Sequence, residues 1–176
     1  MGNTFKRWFL SFLHLFFPRQ CAVCGMPLQE GEEAICLKCN MDLPRTNYHL
    51  RADNLVERMF WGKFPLGRAA SYFFYHKGSD YCHILHQLKY GGRKDLGETM
   101  GRFMAAELAV SGFFHEVDVM VPVPLHPRKQ QMRRYNQSEC IAQGIAAVTG
   151  IPLDVSSVVR KKHTETQTRK SAYERR

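Results

Sequence analysis

The chain has 176 residues, 44% of them hydrophobic and 23% charged, a composition that fits one globular domain with a small appendage and argues against a disordered chain. Its formal charge of +9 is uneven, because residues 1–120 hold 14 Lys and Arg against 12 acidic residues, whereas residues 121–176 hold 11 against four. A basic half of this kind suggests a polyanionic partner, either nucleic acid or a phosphorylated substrate, and charge alone leaves a merely solvated basic surface equally open.

A strongly apolar segment, WFLSFLHLFF at residues 8–17, follows two cations near the N-terminus. No small-residue cleavage site of a signal peptide lies between it and Cys21. Ten residues are also too few to span a bilayer as a helix, which takes about twenty. We therefore predict a short apolar helix packed on the fold, no stable membrane insertion and a cytoplasmic protein, with loose contact at a membrane surface as the lesser alternative.

Two Cys-x-x-Cys pairs separated by eleven residues supply four thiols: Cys21, Cys24, Cys36 and Cys39. Each pair brings two thiolates close enough to share an ion, and two pairs complete a tetrahedron, which predicts a closed, structural zinc site. The alternatives are two disulfides, four unrelated buried thiols or an iron–sulfur cluster. Cys82 and Cys140 have no partner motif and are predicted to be small buried side chains.

The remaining pattern divides the chain into an apolar helix with a zinc knuckle (residues 1–45), a polar linker (46–60) and a main domain (61–176). Within the main domain, the β-prone residues 69–75 predict a strand. Apolar residues at helical spacing predict helices over residues 80–90 and 95–113. The alternation of strands and helices predicts an α/β fold with a largely parallel sheet.

The segment around which this domain is organised begins with a valine-rich run at residues 117–123, which predicts a buried strand. Pro122 and Pro124 should end its pairing, since neither has an N–H to donate. Asn136, with Glu139 three residues later, predicts the start of a helix that ends at Gly150. Between the strand and this helix lie four cations: Arg128, Lys129, Arg133 and Arg134. Strand ends, helix N-termini and clustered arginines all favour anion binding.

Several landmarks in this order resemble one family. After the cysteine pairs come LKYGGR at residues 88–93, VPVPLHP at 121–127, RRYNQ at 133–137 and, last, Arg160 with TETQ at 164–167. Together they resemble the ComF family, cytoplasmic proteins with a phosphoribosyltransferase-like domain that are linked to bacterial DNA uptake. The family pattern has Gly-Phe-Asn-Gln where this chain has Arg134-Tyr135-Asn136-Gln137.

The resemblance implies a type I phosphoribosyltransferase fold. The turn at Val123, Pro124 and Leu125 would face the pyrophosphate of phosphoribosyl pyrophosphate (PRPP). Arg128, Arg133 and Arg134 would lie beside it, and residues 160–176 would form a lid. The family's remaining signature, two adjacent acids followed by Thr-Thr-Gly, does not occur in the chain. We therefore expect a C-terminally truncated, incomplete sheet, and a role for Mg²⁺ and PRPP only if the chain continues past Arg176.

The leading functional hypothesis is a ComF-family protein that handles single-stranded DNA during natural transformation, together with other DNA-uptake proteins. In it, the basic segment binds the phosphates and Tyr135 is a candidate for stacking on the bases. One alternative is an enzyme that transfers a phosphoribosyl group from PRPP to an amine or a base. Another is a zinc-knuckle module that docks on a partner protein.

Overall fold

A computed structural model of the chain describes residues 18–162. Three short elements come first: α1 (Leu37–Met41), a 3-10 helix (Tyr48–Leu50) and α2 (Leu55–Arg58). The larger elements are α3 (Cys82–Tyr90), α4 (Lys94–Val110), α5 (Pro127–Arg133) and α6 (Gln137–Thr149). Helices α3, α4 and α6 confirm three of the helices predicted from periodicity and capping residues.

Local sequence signals set the ends of α5 and α6. His126 caps α5 by accepting a hydrogen bond from the N–H two residues on, and Pro127 occupies the first helical position, where a missing N–H costs nothing. Asn136 caps α6 by accepting a hydrogen bond from the N–H of Ser138 at 3.1 Å. Helix α6 ends at Gly150, whose φ of 73° is left-handed. Only three residues therefore separate α5 from α6, and the two helices meet in a tight turn.

Helices α4 and α6 pack with their backbones in contact. A Cβ atom added to Gly101 would overlap the carbonyl oxygen of Ile141, and one added to Gly144 would overlap that of Glu98. Glycine is required at both positions because no side chain fits between the two helices. This close approach holds α6, and with it the cations that precede it, against α4.

One hydrophobic core joins the segment that contains the four cysteines (residues 18–45, called the zinc segment from here on) to α3 and α4. It contains buried residues from both parts of the chain: Cys21, Ala22, Val23, Ala34, Ile35, Cys39, Leu43, Ile84, Leu88, Leu96 and Met100. Polar contacts cross the same boundary, since Gln87 donates to the carbonyl of Ala22 at 3.2 Å and Thr99 donates to the Glu33 carboxylate at 2.9 Å. Arg102 pairs with that carboxylate too. The zinc segment is therefore packed on the helices, and the domain boundaries proposed at residues 45 and 60 stay predictions.

The predicted fold class, an α/β type I phosphoribosyltransferase-like parallel sheet, is wrong for the part of the chain that the structure describes. Residues 18–162 contain no β-strand. The extended segments there make only three isolated bridges, between Gln20 and Pro27, Arg45 and Phe73, and Met120 and Leu153. A bridge fixes one residue pair and does not build a sheet, so the described fold is helical.

The valine-rich segment before Pro122 shows why the strand prediction failed. Its pairing is limited to the parallel bridge between Met120 and Leu153, flanked by two hydrogen bonds of 2.9 Å. Pro122 has no N–H to continue it. Val119 and Val121 are 47% and 46% exposed, so the run is not buried. Valine content favours an extended backbone, but burial needs a neighbouring sheet face, which sequence composition does not supply.

The segment at residues 69–75 likewise forms no strand. It runs antiparallel to residues 44–46, with Phe74 N–H donating to the Pro44 carbonyl at 2.8 Å and Thr46 N–H donating to the Tyr72 carbonyl at 3.1 Å. Pro44 has no N–H of its own to donate back to Phe74, so the pairing here is limited to these two backbone hydrogen bonds. The extended backbone predicted here is present, but the sheet is not.

Among residues 18–162, no helix is long and apolar enough to cross a membrane. The apolar helix predicted over residues 8–17 lies outside the described residues. So does most of the lid predicted over residues 160–176.

Candidate functional site

The four cysteines of the two Cys-x-x-Cys pairs converge. Their Sγ atoms all lie within 4.8 Å of one another, and Cys24 and Cys36 are 3.9 Å apart. A tetrahedral zinc ion with Zn–S bonds of about 2.3 Å requires sulfur atoms roughly 3.8 Å apart. The thiols therefore fit one zinc ion, with Cys21 and Cys39 on the buried side and Cys24 on the exposed side.

Backbone hydrogen bonds to sulfur prepare this site for a metal. Burial by itself would raise the pKa of Cys21, but N–H groups of Cys24, Cys36 and Val23 point at its sulfur and lower the pKa to about 7. Burial raises the pKa of Cys36 and of Cys39. Cys36 and Cys39 are therefore protonated at neutral pH without a metal, so zinc binding must displace their protons.

The predicted cations gather on and next to α5. Arg128 and Arg134 are exposed, and Lys129 and Arg133 are half-buried. Among residues 18–162, none of the four forms an ion pair, because the ion pairs there involve Arg45, Arg93 and Arg102. We call Arg128, Lys129, Arg133 and Arg134 the basic surface.

The turn at Val123, Pro124 and Leu125 is tied directly to the start of α6. The side-chain amide of Asn136 donates to the carbonyl oxygen of Val123 at 3.1 Å while its oxygen caps the helix. Asn136 is buried, so this link is shielded from water. The structure thus holds the predicted turn and the predicted helix start together, while their role in binding pyrophosphate stays a prediction.

Tyr135, a candidate for stacking on bases, is buried. It is only 6% exposed, and its hydroxyl donates to the carbonyl oxygen of Leu88 near the end of α3. Burial raises its pKa. The ring therefore anchors the turn between α5 and α6 to α3 and offers no face to a ligand.

An exposed aromatic residue that the sequence reasoning passed over lies beside the basic surface instead. Tyr90, the last residue of α3, is 60% exposed, and the guanidinium of Arg133 lies 5.6 Å from its ring centroid. The ring of His86, one turn earlier, is 5.1 Å from that of Tyr90. The exposure of Tyr90 could have been predicted from the sequence, because Tyr90 falls on the face of α3 opposite the buried Ile84 and Leu88. Its proximity to Arg133 could not have been predicted, since the two residues are 43 positions apart.

Comparison with known proteins gives relatives over most of the chain. The "DNA utilization protein YhgH" of Escherichia coli (strain K12) is 26% identical over 170 residues, covering 87% of this chain and 71% of that protein. The protein of the same name from Salmonella typhimurium is 27% identical over 177 residues, covering 90% of this chain and 74% of the relative. The similarity confirms the resemblance drawn from the motifs. No solved structure matches the chain.

A family model described as a double zinc ribbon domain matches residues 12–50. This segment contains the four converging cysteines and no others. The match and the geometry together confirm the prediction of structural zinc. Four thiols saturate one tetrahedral ion, so this segment has ligands for one zinc-cysteine site.

Proposed function

We propose that this chain, a homologue of the ComF-family DNA utilization protein YhgH, binds single-stranded DNA through the basic surface on and next to α5. Its role would be to handle incoming strands during natural transformation. The observation that carries the proposal is the concentration of charge: residues 121–176 hold 11 Lys and Arg against four acidic residues.

Within the described residues these four cations form no ion pairs, which supports binding of a polyanion. Because none of the four is neutralised by a carboxylate within the described residues, their full charge is available to phosphates. Arg133 is oriented by a 2.9 Å hydrogen bond from its guanidinium to the Gln137 side-chain oxygen. An oriented arginine loses less entropy when it binds a phosphate than a free one.

The zinc site has a structural part in this proposal. Its four ligand positions are filled by cysteines, so no coordination position is left for a substrate. The zinc segment packs on α3 and α4, and α4 in turn holds α6. The metal thereby stabilises α3 and α4, and through α4 the helix α6 that follows the basic surface.

The test is a binding titration of a labelled oligothymidine strand, followed by fluorescence anisotropy over a series of salt concentrations. We expect binding to weaken steeply with salt and to need no Mg²⁺, because phosphate contacts release counterions. The double variant Arg133→Glu, Arg134→Glu should bind much more weakly. The plot of log affinity against log salt concentration should become less steep by about 1.4, since each lost phosphate contact on a single strand accounts for about 0.7 of the slope.

A double variant with the same change in charge is the control. Lys38 and Arg51 are exposed cations of the zinc segment and of the loop after it. Lys38→Glu with Arg51→Glu should leave most of the affinity and the salt slope in place. Equal losses in both double variants would mean that only the net charge matters, and the proposed surface would be wrong.

A further inference from the structure

A surface for single-stranded DNA needs a flat aromatic face for the bases as well as cations for the phosphates. Tyr135, the aromatic residue within RRYNQ, is unable to serve, because it is buried and its hydroxyl donates a hydrogen bond to the carbonyl oxygen of Leu88. If the basic surface binds single-stranded DNA, a different aromatic residue must therefore stack on the bases.

Tyr90 meets the requirements of a stacking platform. Its side chain is 60% exposed at the end of α3. Arg133 of the basic surface lies 5.6 Å from the ring centroid, which is within cation–π distance. Lys89, the preceding residue, is exposed and forms no ion pair within the described part of the chain. A base on the Tyr90 ring would thus have its phosphates next to at least two available cations.

Two contacts hold this geometry in place. The hydroxyl of Tyr135 binds the carbonyl of Leu88, two residues before Tyr90, and so fixes the turn after α5 against the end of α3. The ring of His86 supports Tyr90 from the preceding helical turn at 5.1 Å. Two segments that are distant in sequence therefore present one aromatic ring and one guanidinium side by side.

We propose that Tyr90 is the base-stacking residue of the single-stranded DNA site and that Arg133 binds the adjoining phosphate. This inference rests on the proposed function. Stacking is sequence-tolerant because every base has a π-face, so Tyr90 would give affinity for single strands without preference for a base. It also distinguishes a single strand from a duplex, whose bases already stack on each other.

The experiment measures the affinity of three proteins, the unchanged chain, Tyr90→Ala and Tyr90→Phe, for two oligonucleotides of equal length. One is oligothymidine, and the other is an abasic strand with the same number of phosphates. We expect Tyr90→Ala to weaken oligothymidine binding roughly 5- to 150-fold, the range that one stacked base contributes. Tyr90→Phe should retain most of the affinity, since the ring remains.

The abasic strand separates stacking from charge. Tyr90→Ala should bind it as the unchanged chain does, and its salt slope should not change, because no phosphate contact is lost. Tyr75→Ala is the matched control, since Tyr75 is a tyrosine with 59% exposure on a different segment. It should bind both strands normally. Far-ultraviolet circular dichroism checks that all variants fold.

The outcomes distinguish the two proposals. If the unchanged chain binds neither strand, the proposed function fails and this inference fails with it. If it binds oligothymidine with a steep salt dependence but Tyr90→Ala binds equally well, the function stands and Tyr90 is not the stacking residue. Equal weakening of both strands by Tyr90→Ala would also overturn the inference, because the loss would not depend on bases.

Discussion

Arg134 carries a backbone conformation that its side chain does not favour. It ends α5 with φ 63° and ψ 2°, in the left-handed region. The ComF pattern has glycine at this position, and glycine adopts that conformation without a clash between Cβ and the backbone. The arginine therefore adds a charge to the basic surface at a cost in stability.

The variant Arg134→Gly should separate these two effects. Relief of the left-handed strain, about 1–2 kcal/mol, exceeds the extra unfolded-state entropy of glycine, about 0.5–1 kcal/mol. We expect the free energy of unfolding in urea to rise by about 0.5–1 kcal/mol while the affinity for single-stranded DNA falls. Arg133→Gly is the control: it lies within α5, so it should lower stability by about 1 kcal/mol. Equal stability changes in both variants would contradict the strain argument.

At the scale of the elements, the crossing of α4 and α6 depends on residues that have no side chain. Gly101 and Gly144 allow each helix to lie against the other's carbonyl oxygens. Elsewhere in a helix, replacing glycine with alanine would stabilise by up to about 1 kcal/mol. Here the added methyl group would have to push the helices apart, and the sign reverses.

We expect Gly101→Ala and Gly144→Ala each to destabilise the fold by about 3 kcal/mol or more, measured by thermal or urea unfolding. Gly97→Ala gives a graded comparison on the same helix. A Cβ there would meet the Cβ of Cys140 at 2.8 Å, a smaller overlap than that with a carbonyl oxygen at Gly101 and Gly144. Its cost should therefore be smaller. A neutral or stabilising Gly101→Ala would show that the helices are not in backbone contact.

At the scale of the whole molecule, the zinc segment and the helices share one core. Ala22, Ala34 and Ile35 are packed with residues of α3 and α4. Arg45 links the two parts as well, through a 2.6 Å contact with Glu107 of α4. Loss of the metal should therefore expose apolar surface of the helices and not only loosen the cysteine segment.

We expect one zinc ion per chain by metal analysis, and none after Cys36→Ser. Chelation should lower the melting temperature of all the helices, followed by their circular dichroism signal.

Zinc release should increase as pH falls, because protons compete for the thiolates and burial already raises the pKa of Cys36.

Cys82→Ser is the control for this prediction. Cys82 lies outside the cluster, half-buried, with its thiol donating to the His76 carbonyl at 2.9 Å. The variant should keep its zinc. Helical melting that is unchanged by chelation would show that the helices do not depend on the metal.

The sequence by itself determined the features that depend on spacing within a short segment. The cysteine pairs identified the zinc site, Asn136 and Gly150 bounded α6, and the ordered motifs identified the relatives. A capping hydrogen bond or a Cys-x-x-Cys pair involves residues only a few positions apart, so its physics is visible in the residue order.

Only the tertiary structure decided which residues meet across the chain. Valine content predicted a buried strand, yet Val121 is half exposed, because a strand is buried only where another element covers it. By residue type alone, Tyr135 and Tyr90 were equally good candidates for contact with a ligand. Packing against Leu88 buried Tyr135, and the end of α3 left Tyr90 exposed beside Arg133. Contacts of this kind join residues more than forty positions apart, and no local pattern encodes them.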